Sequence, residues 1–299
     1  MSKSKKEIFK GAATALVTPF KDGGVDFEAL ERLIEFQISG GIDALVITGT
    51  TGESSTLSER EHKRVLSFAI EKIGGRVPAI AGTGSNNISC AAETSRWASN
   101  AGYDALLVVT PYYNKATPKG LIESYTRIAD SSSKPIILYN VPTRTCCNIT
   151  LPVYKELAKH PNIVGVKEAS GNVSQVAELL CECGDSLDVY SGNDDQTLPL
   201  LSLGSKGVIS VVSNIIPKEM SMLCHRFFEG DTKTCRKIQL EYLPLMKAMF
   251  YEVNPIPIKT AMEKLGLCGA EFRLPLCEME QSNRARLIEI LKAYFPERL

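Results

Sequence analysis

Short apolar runs and amphipathic stretches alternate along most of the chain. The apolar runs are rich in Val, Ile, Leu and Ala, as in DALVITGT (43–50) and KPIILYNVP (134–142). The stretches between them place apolar residues at helical spacing, as in SEREHKRVLSFAIEKIGG (58–75), which Gly74 ends. The alternation predicts parallel strands that are joined by helices.

The whole pattern contains eight such units. The strands are predicted over residues 12–18, 43–50, 77–84, 104–114, 134–142, 163–170, 187–194 and 206–214, and the run at 104–114 passes from a strand into a loop. The delimited helices that follow them cover residues 58–75, 86–102, 118–132, 151–160, 173–184, 197–203 and 217–230. Eight β/α units favour an α/β fold of the (β/α)8 TIM-barrel type. We predict a catalytic barrel over residues 1–230 and a C-terminal helical extension over residues 231–299, with helices in 234–250, 255–266 and 282–295.

A doubly wound sheet of the Rossmann type is the alternative fold. Such a sheet usually carries a glycine-rich phosphate-binding loop. GTGSNN (82–87) lacks the third glycine of the dinucleotide fingerprint, and the chain has no G-x-x-x-x-G-K-[ST] motif. The sequence therefore favours the barrel.

Composition narrows the classes of function. The 299 residues include 34 Lys and Arg and 34 Asp and Glu, so the formal net charge is zero. This balance indicates neither a nucleic-acid partner nor a membrane surface, and no apolar run reaches the length of a transmembrane helix. The first twenty residues resemble a signal peptide, but Lys10 interrupts the apolar run and Thr18-Pro19 ends it. The nine scattered cysteines lack zinc-site spacing and predict free thiols in a reducing, cytoplasmic environment.

Polar residues gather where the predicted strands end, which is where barrel enzymes place their active sites. They are Gly49–Glu53 after the second strand, Thr110–Asn114 after the fourth, Tyr139–Arg144 after the fifth, Lys167–Glu168 in the sixth and Ser191–Asp194 after the seventh. Taken singly, each has a structural explanation: a solvated lysine or arginine, a core tyrosine, a tight turn. Their common position at one barrel mouth favours chemistry.

Lys167 is the most informative of these residues because it interrupts an apolar strand. A lysine that burial shifts toward the neutral amine is a nucleophile for carbonyl carbons. The backbone N–H groups of Gly49–Gly52 and the threonine hydroxyls suit a small carboxylate, and Tyr139 with Thr50 suits proton transfer. Strand alternation turns Glu168 to the outside of the barrel. The three histidines fall in predicted helices or at their ends, which argues against a histidine triad or a metal-activated water.

These motifs together resemble the dihydrodipicolinate synthase family, within the pyruvate-dependent class I aldolases that include N-acetylneuraminate lyase. The resemblance covers essentially the whole chain. It is carried by GTTGES (49–54), TPYYN (110–114), LYNVPTRT (138–145), GVKEASG (165–171), YSGND (190–194) and NPIPIK (254–259). The G-x-x-G-E turn and the lysine identify only the wider group, whereas NVPTRT points to the synthases through Arg144.

The resemblance implies condensation of pyruvate with L-aspartate 4-semialdehyde, without cofactor or metal. Lys167 would form the Schiff base, and Tyr139, Thr50 and Tyr113 would relay protons. Thr51 would hold the pyruvate carboxylate, and Arg144 that of the semialdehyde. Gly192 and Ile209 would line the pocket through their backbone.

The resemblance also implies a homotetramer, built as a dimer of dimers, in which Tyr113 completes the neighbouring subunit's site. It implies a lysine-binding cleft between subunits, at the positions of Ser54, Ser55, Glu59, His62, Asn86, Cys90 and Tyr112. Cys90 stands where an acid would hold the ligand's α-ammonium, so we expect weak inhibition by lysine or none. Glu59 and Glu93 are possible substitutes for that acid.

Two alternative functions stay open at this point. A lyase of sialic acid or a keto-deoxy sugar acid would share Lys167 but would have no need of Arg144. A barrel without catalytic activity could bind pyruvate-like ligands. The intact set of Lys167, Tyr139, Thr50 and Tyr113 speaks against the second.

Overall fold

Eight parallel strands close into a barrel, as the sequence predicts. The computed structural model describes residue 5 and residues 7–298. Residues 1–4 and 6, which belong to the predicted barrel, and residue 299, which belongs to the predicted extension, are outside the described residues. The strands are β1 (Gly11–Ala15), β2 (Ala44–Ile47), β3 (Ala79–Gly82), β4 (Ala105–Val109), β5 (Ile136–Asn140), β6 (Ile163–Glu168), β7 (Asp188–Ser191) and β8 (Gly207–Ser210). Each pairs with its neighbours in the sequence, and β1 closes the barrel on β8 through the Gly11–Gly207 register.

Helices cover the outside of the barrel and continue beyond it. They are α1 (Phe27–Ser39), α2 (Glu59–Ile73), α3 (Ile88–Asn100), α4 (Pro118–Asp130), α5 (Pro142–Thr145), α6 (Leu151–Leu157), α7 (Val173–Cys183), α8 (Thr197–Leu203), α9 (Pro217–Phe228), α10 (Thr232–Glu241), α11 (Leu243–Ala248), α12 (Ile256–Lys264) and α13 (Gln281–Tyr294). Local sequence explains their ends. Ser58 and Glu61 form a reciprocal capping box at the start of α2, and Gly74 ends that helix in the left-handed conformation.

Strand alternation divides the core into an outer and an inner part. Leu106 and Val108 of β4 pack under the helices, whereas Ala105 and Leu107 point into the barrel. Small inner residues such as Ala13 and Ala44 leave room for larger ones on the facing strands.

An aromatic pair fills the amino end of the barrel. The rings of Phe9 and Tyr190 stack with their centroids 4.2 Å apart, and the Tyr190 hydroxyl donates to the Phe9 carbonyl at 2.8 Å. Both residues are buried. The barrel is therefore packed at this end, and its polar residues collect at the other.

Several details differ from the sequence-based expectation. The helix predicted over 234–250 is divided into α10 and α11, because Pro244 has no N–H and fits only a first helical turn. The strand predicted over 206–214 is too long, because its last residues leave the sheet as a mouth loop, whereas the run at 104–114 passes from strand to loop after Val109, as predicted. A two-stranded hairpin of Phe20–Lys21 and Gly24–Val25 was not predicted.

The division of the chain at residue 230 stays a prediction. Helix α9 ends two residues before it, and α10 begins at Thr232. Among the described residues, no helix is both long and apolar enough to cross a membrane.

Candidate active site

Lys167 and Tyr139 lie side by side at the carboxyl ends of β6 and β5. The two residues are register partners, and the Lys167 Nζ lies 4.5 Å from the centre of the Tyr139 ring. Lys167 is only 4% exposed, and within residues 7–298 no carboxylate forms an ion pair with it. An amine in this position is available to a ligand from the mouth.

The turn after β2 presents two threonines. The Gly52 N–H donates to the Gly49 carbonyl at 3.0 Å, and the Glu53 N–H donates to the Thr50 carbonyl at 3.1 Å. These bonds fold the turn tightly, and Glu53 ends it in the left-handed conformation, with φ of 52°. Thr51 is buried, whereas Thr50 is partly exposed. The turn thus places both threonines beside cavities at the barrel mouth.

Arg144 lies on the short helix α5, directly after β5. Its guanidinium donates to the Asn254 carbonyl at 2.9 Å, which anchors the side chain while leaving other donors open. The Asn254 amide in turn donates to the Thr51 hydroxyl at 3.0 Å. The two residues predicted to bind carboxylates are therefore connected through one asparagine.

A cavity of about 420 Å³ contains most of the predicted site, and we call it the Lys167 pocket. Its lining includes Lys167, Tyr139, Thr51, Arg144 and Gly192. Gly192 is required by close packing, since an added Cβ would lie 2.6 Å from the Ala169 Cβ. The structure therefore brings five predicted residues to one cavity.

Three predicted residues do not line the Lys167 pocket. Thr50 borders an adjoining cavity. Ile209 is fully buried in the inner core of the barrel, and Val211, two residues further along the chain, lines the pocket. Tyr113 is 90% exposed on the outer surface, with φ of 73°.

Two buried acids flank Lys167, and they have different partners. Glu168 faces outward, as strand alternation predicts, and accepts hydrogen bonds from Tyr154 of α6 and from Asn140. Asp194 accepts from the Val211 and Val212 N–H groups at 3.1 and 2.9 Å. Burial raises the pKa of Asp194, and the positive charge of Lys167 is among the influences that oppose the rise.

The adjoining cavity, which we call the Cys90 cleft, also measures about 420 Å³ and shares Val141 and Arg144 with the Lys167 pocket. The predicted positions Ser54, Ser55, Glu59, His62, Cys90 and Tyr112 line it. Asn86 is absent from its lining.

Two side chains of α2 shape the electrostatics of the Cys90 cleft. Burial lowers the pKa of His62, whose Nε2 lies 2.8 Å from the Thr48 hydroxyl. Lys63 forms ion pairs with both Glu59 and Glu93. The two acids that could substitute at Cys90 therefore already share a cation.

Sequence reasoning missed Asn254 as a site residue. NPIPIK (254–259) was noticed only as part of a resemblance, because nothing in its local pattern shows that it reaches the barrel mouth. The contact of Asn254 with Thr51 spans 203 positions of the chain.

Comparison with known proteins gives one consistent result. The family model described as the dihydrodipicolinate synthetase family matches residues 8–294. The 4-hydroxy-tetrahydrodipicolinate synthase of Geobacter sulfurreducens is 52% identical over 287 residues, which cover 96% of this chain and 99% of the relative.

Solved structures agree with the sequence relatives. The dihydrodipicolinate synthase of Aquifex aeolicus has a TM-score of 0.94 at 46% identity and covers 96% of this chain and 98% of its own. The enzyme from Cyanidioschyzon merolae, solved with lysine bound, has a TM-score of 0.92 at 38% identity, over 96% and 99% of the two chains.

Proposed function

The chain belongs to the dihydrodipicolinate synthetase family, and from that premise we propose that it condenses pyruvate with L-aspartate 4-semialdehyde. The product is 4-hydroxy-tetrahydrodipicolinate, and the reaction is the first committed step of diaminopimelate and lysine biosynthesis. The observation that carries the proposal is the buried amine of Lys167 in a pocket that also holds Thr51 and Arg144. One nucleophile between two carboxylate-binding groups suits two acidic substrates.

Lys167 forms the covalent intermediate. Its amine adds to the keto carbon of pyruvate, and the keto oxygen leaves as water, which gives an imine. The methyl group then loses a proton, and the resulting enamine forms a carbon–carbon bond to the aldehyde carbon, whose oxygen takes up a proton. The amino group of the semialdehyde attacks the imine carbon, which closes the ring and releases the lysine.

Tyr139 transfers the protons in these steps. Its ring lies against Lys167 at the buried end of the pocket, which supports the assignment. Thr50 passes protons onward to a hydroxyl at the surface, and Tyr113 of a neighbouring subunit supplies that hydroxyl. A relay of hydroxyls replaces the histidine that many acid–base sites use.

Two groups hold the two carboxylates. Thr51, with the backbone of Gly192 and Ile209, binds that of pyruvate, and Arg144 binds that of the semialdehyde through a bidentate pair. Arg144 also separates this function from that of a sugar-acid lyase, whose substrates need hydroxyl partners. Turnover with aspartate semialdehyde and none with N-acetylmannosamine is the expected result.

The active unit is at least a dimer and, following the family, a dimer of dimers. Tyr113 supports this, since a tyrosine that is 90% exposed is suited to an interface. Mixing Tyr113→Phe with Lys167→Ala subunits should restore part of the activity, because one mixed site regains both residues. No recovery in verified mixed dimers would overturn the shared site.

Trapping the imine tests the catalytic assignment. Borohydride reduction in the presence of pyruvate should attach one three-carbon acid to the peptide that contains Lys167. Reduction without pyruvate is the control. A label on Lys134 or Lys206 would overturn the assignment.

We also propose a cytoplasmic location, where free thiols persist; the nine cysteines are unpaired.

A further inference from the structure

The turn that presents Thr50 and Thr51 is tied down from the far end of the chain. Asn254 contacts its middle at Thr51, and Lys259 contacts its end at Glu53. The first lies just before α12 and the second lies within it. One short segment therefore holds the turn at two points.

Asn254 controls the direction of the Thr51 hydroxyl. The asparagine amide donates to the Thr51 oxygen, so the hydroxyl hydrogen remains available to a ligand. A hydroxyl fixed as a donor suits a carboxylate. The Asn254 Oδ1 is buried and has no hydrogen-bond partner among the described residues. Satisfying the polar groups of this segment therefore does not by itself explain why an asparagine lies here.

Lys259 fixes the end of the turn through an ion pair. Its Nζ donates to the Glu53 Oε1 and to the Glu271 carbonyl, both at 2.6 Å, and both charged side chains are fully buried. The ammonium also lies 4.4 Å from the Phe20 ring centre and 5.1 Å from that of Phe272. A buried pair of this kind is often no more stabilising than apolar residues of the same volume. Stabilisation of the fold alone therefore does not explain why the chain has a buried ion pair at this position.

We propose that Asn254 and Lys259 are positioning residues that set the Thr50–Glu53 turn for recognition of the pyruvate carboxylate. The inference rests on the proposed function. Asn254 orients the Thr51 donor directly, and Lys259 holds Glu53 in its left-handed conformation. Arg144 is held through the Asn254 backbone carbonyl, which a side-chain substitution leaves in place.

The kinetics of the two half-reactions distinguish positioning of the pyruvate site from general support of the structure. A covalent intermediate gives ping-pong kinetics, in which kcat/KM for each substrate reports its own half-reaction. In Asn254→Ala, kcat/KM for pyruvate should fall about tenfold, the effect of one lost hydrogen bond. The value for aspartate semialdehyde should stay within about threefold.

Asn254→Asp sharpens the test at Thr51. A carboxylate accepts the Thr51 hydroxyl hydrogen and repels the pyruvate carboxylate, so the loss should reach about a hundredfold. Borohydride trapping at rising pyruvate should show half-labelling of Lys167 at correspondingly higher concentration in both variants.

Lys259 needs a paired design, because Lys259→Met leaves a buried carboxylate and can prevent folding. The double variant Glu53→Gln with Lys259→Met contains neither charge and should keep its melting temperature. It should still lose about tenfold in kcat/KM for pyruvate, as expected for one lost contact. Lys264→Met removes a partly exposed lysine from the same helix, whose partner is Glu263, and should match the wild type.

The outcomes are distinct. Wild-type pyruvate kinetics in Asn254→Ala, or in the double variant, would overturn the positioning role. Equal losses in both half-reactions together with a lowered melting temperature would reduce the segment to a structural support and would also overturn it. If the wild type forms no imine at all, the proposed function itself has failed.

Discussion

The chain buries two lysines at the barrel mouth and treats them in opposite ways. Lys259 is fully buried, and its ammonium has a carboxylate, a carbonyl and two aromatic rings as partners. Lys167 is nearly as buried, but among the described residues it has only the face of Tyr139 and the more distant charge of Asp194. Burial lowers the pKa of Lys259, and Glu53 opposes that shift.

The difference shows what a buried amine needs for each task. A charge that is removed from water must be paired, and a paired lysine becomes a fixed point of the structure. A lysine that no carboxylate holds in an ion pair is free to approach a carbonyl carbon. The neighbours, rather than the residue type, therefore decide between the two roles.

Replacing Lys167 should produce the largest effect on activity and almost none on stability. Lys167→Ala should lower turnover by more than about a thousandfold, because the covalent step has no other amine. The free energy of unfolding should change by less than about 1 kcal/mol, since no ion pair is broken. Steady-state assays and urea unfolding measure the two quantities. A large loss of unfolding free energy in Lys167→Ala would contradict the difference between Lys167 and Lys259.

Replacing Lys259, in contrast, should have a large effect on the free energy of unfolding. Lys259→Met leaves Glu53 charged and buried, which should cost about 3–5 kcal/mol of unfolding free energy. The double variant with Glu53→Gln should recover most of that loss. Urea unfolding of both variants measures the difference. Equal stability of the single and double variants would mean that the buried pair is not coupled.

The comparison extends to a third ammonium group, the α-ammonium of free L-lysine in the Cys90 cleft. A thiol pairs poorly with it, and Glu59 and Glu93 are already engaged with Lys63. We expect half-inhibition of the wild type only above about a millimolar, which is about 4 kcal/mol of binding energy. Cys90→Glu should strengthen inhibition about ten- to hundredfold, the value of one charge-assisted contact. Cys181→Glu, at an exposed cysteine on α7, is the matched control. Strong inhibition of the wild type would contradict the prediction.

A partly buried ion pair close to the fully buried one should have the smallest effect. The hydrogen bond from Arg273 lowers the pKa of Glu61 to about 2, from an unperturbed 4.5. Because the folded pKa is the lower one, the pair stabilises the fold above about pH 4.5, and the contribution is lost as the pH falls toward 2. Solvent screening limits it to about 1 kcal/mol. The stability difference between wild type and Glu61→Gln should shrink between pH 6 and pH 3, whereas a constant difference would contradict the assignment.

The barrel and the placement of Lys167 could be predicted because both depend on local periodicity. Alternation along β6 alone turns Lys167 inward and Glu168 outward. Asn254 and Lys259 could not be predicted in the same way, since their partners Thr51 and Glu53 lie 203 and 206 positions away. Tyr113 marks a second limit, because it is 90% exposed in a single chain and the role proposed for it lies in a neighbouring subunit.

The stacked rings of Phe9 and Tyr190 limit where substrates can enter the barrel. Since they fill the amino end of the barrel, pyruvate and aspartate semialdehyde share the opening at the mouth. Under the proposed function the two substrates compete for this opening, because Arg144 and Lys167 line the same pocket. The enzyme should therefore slow at high semialdehyde concentration and recover when pyruvate is added.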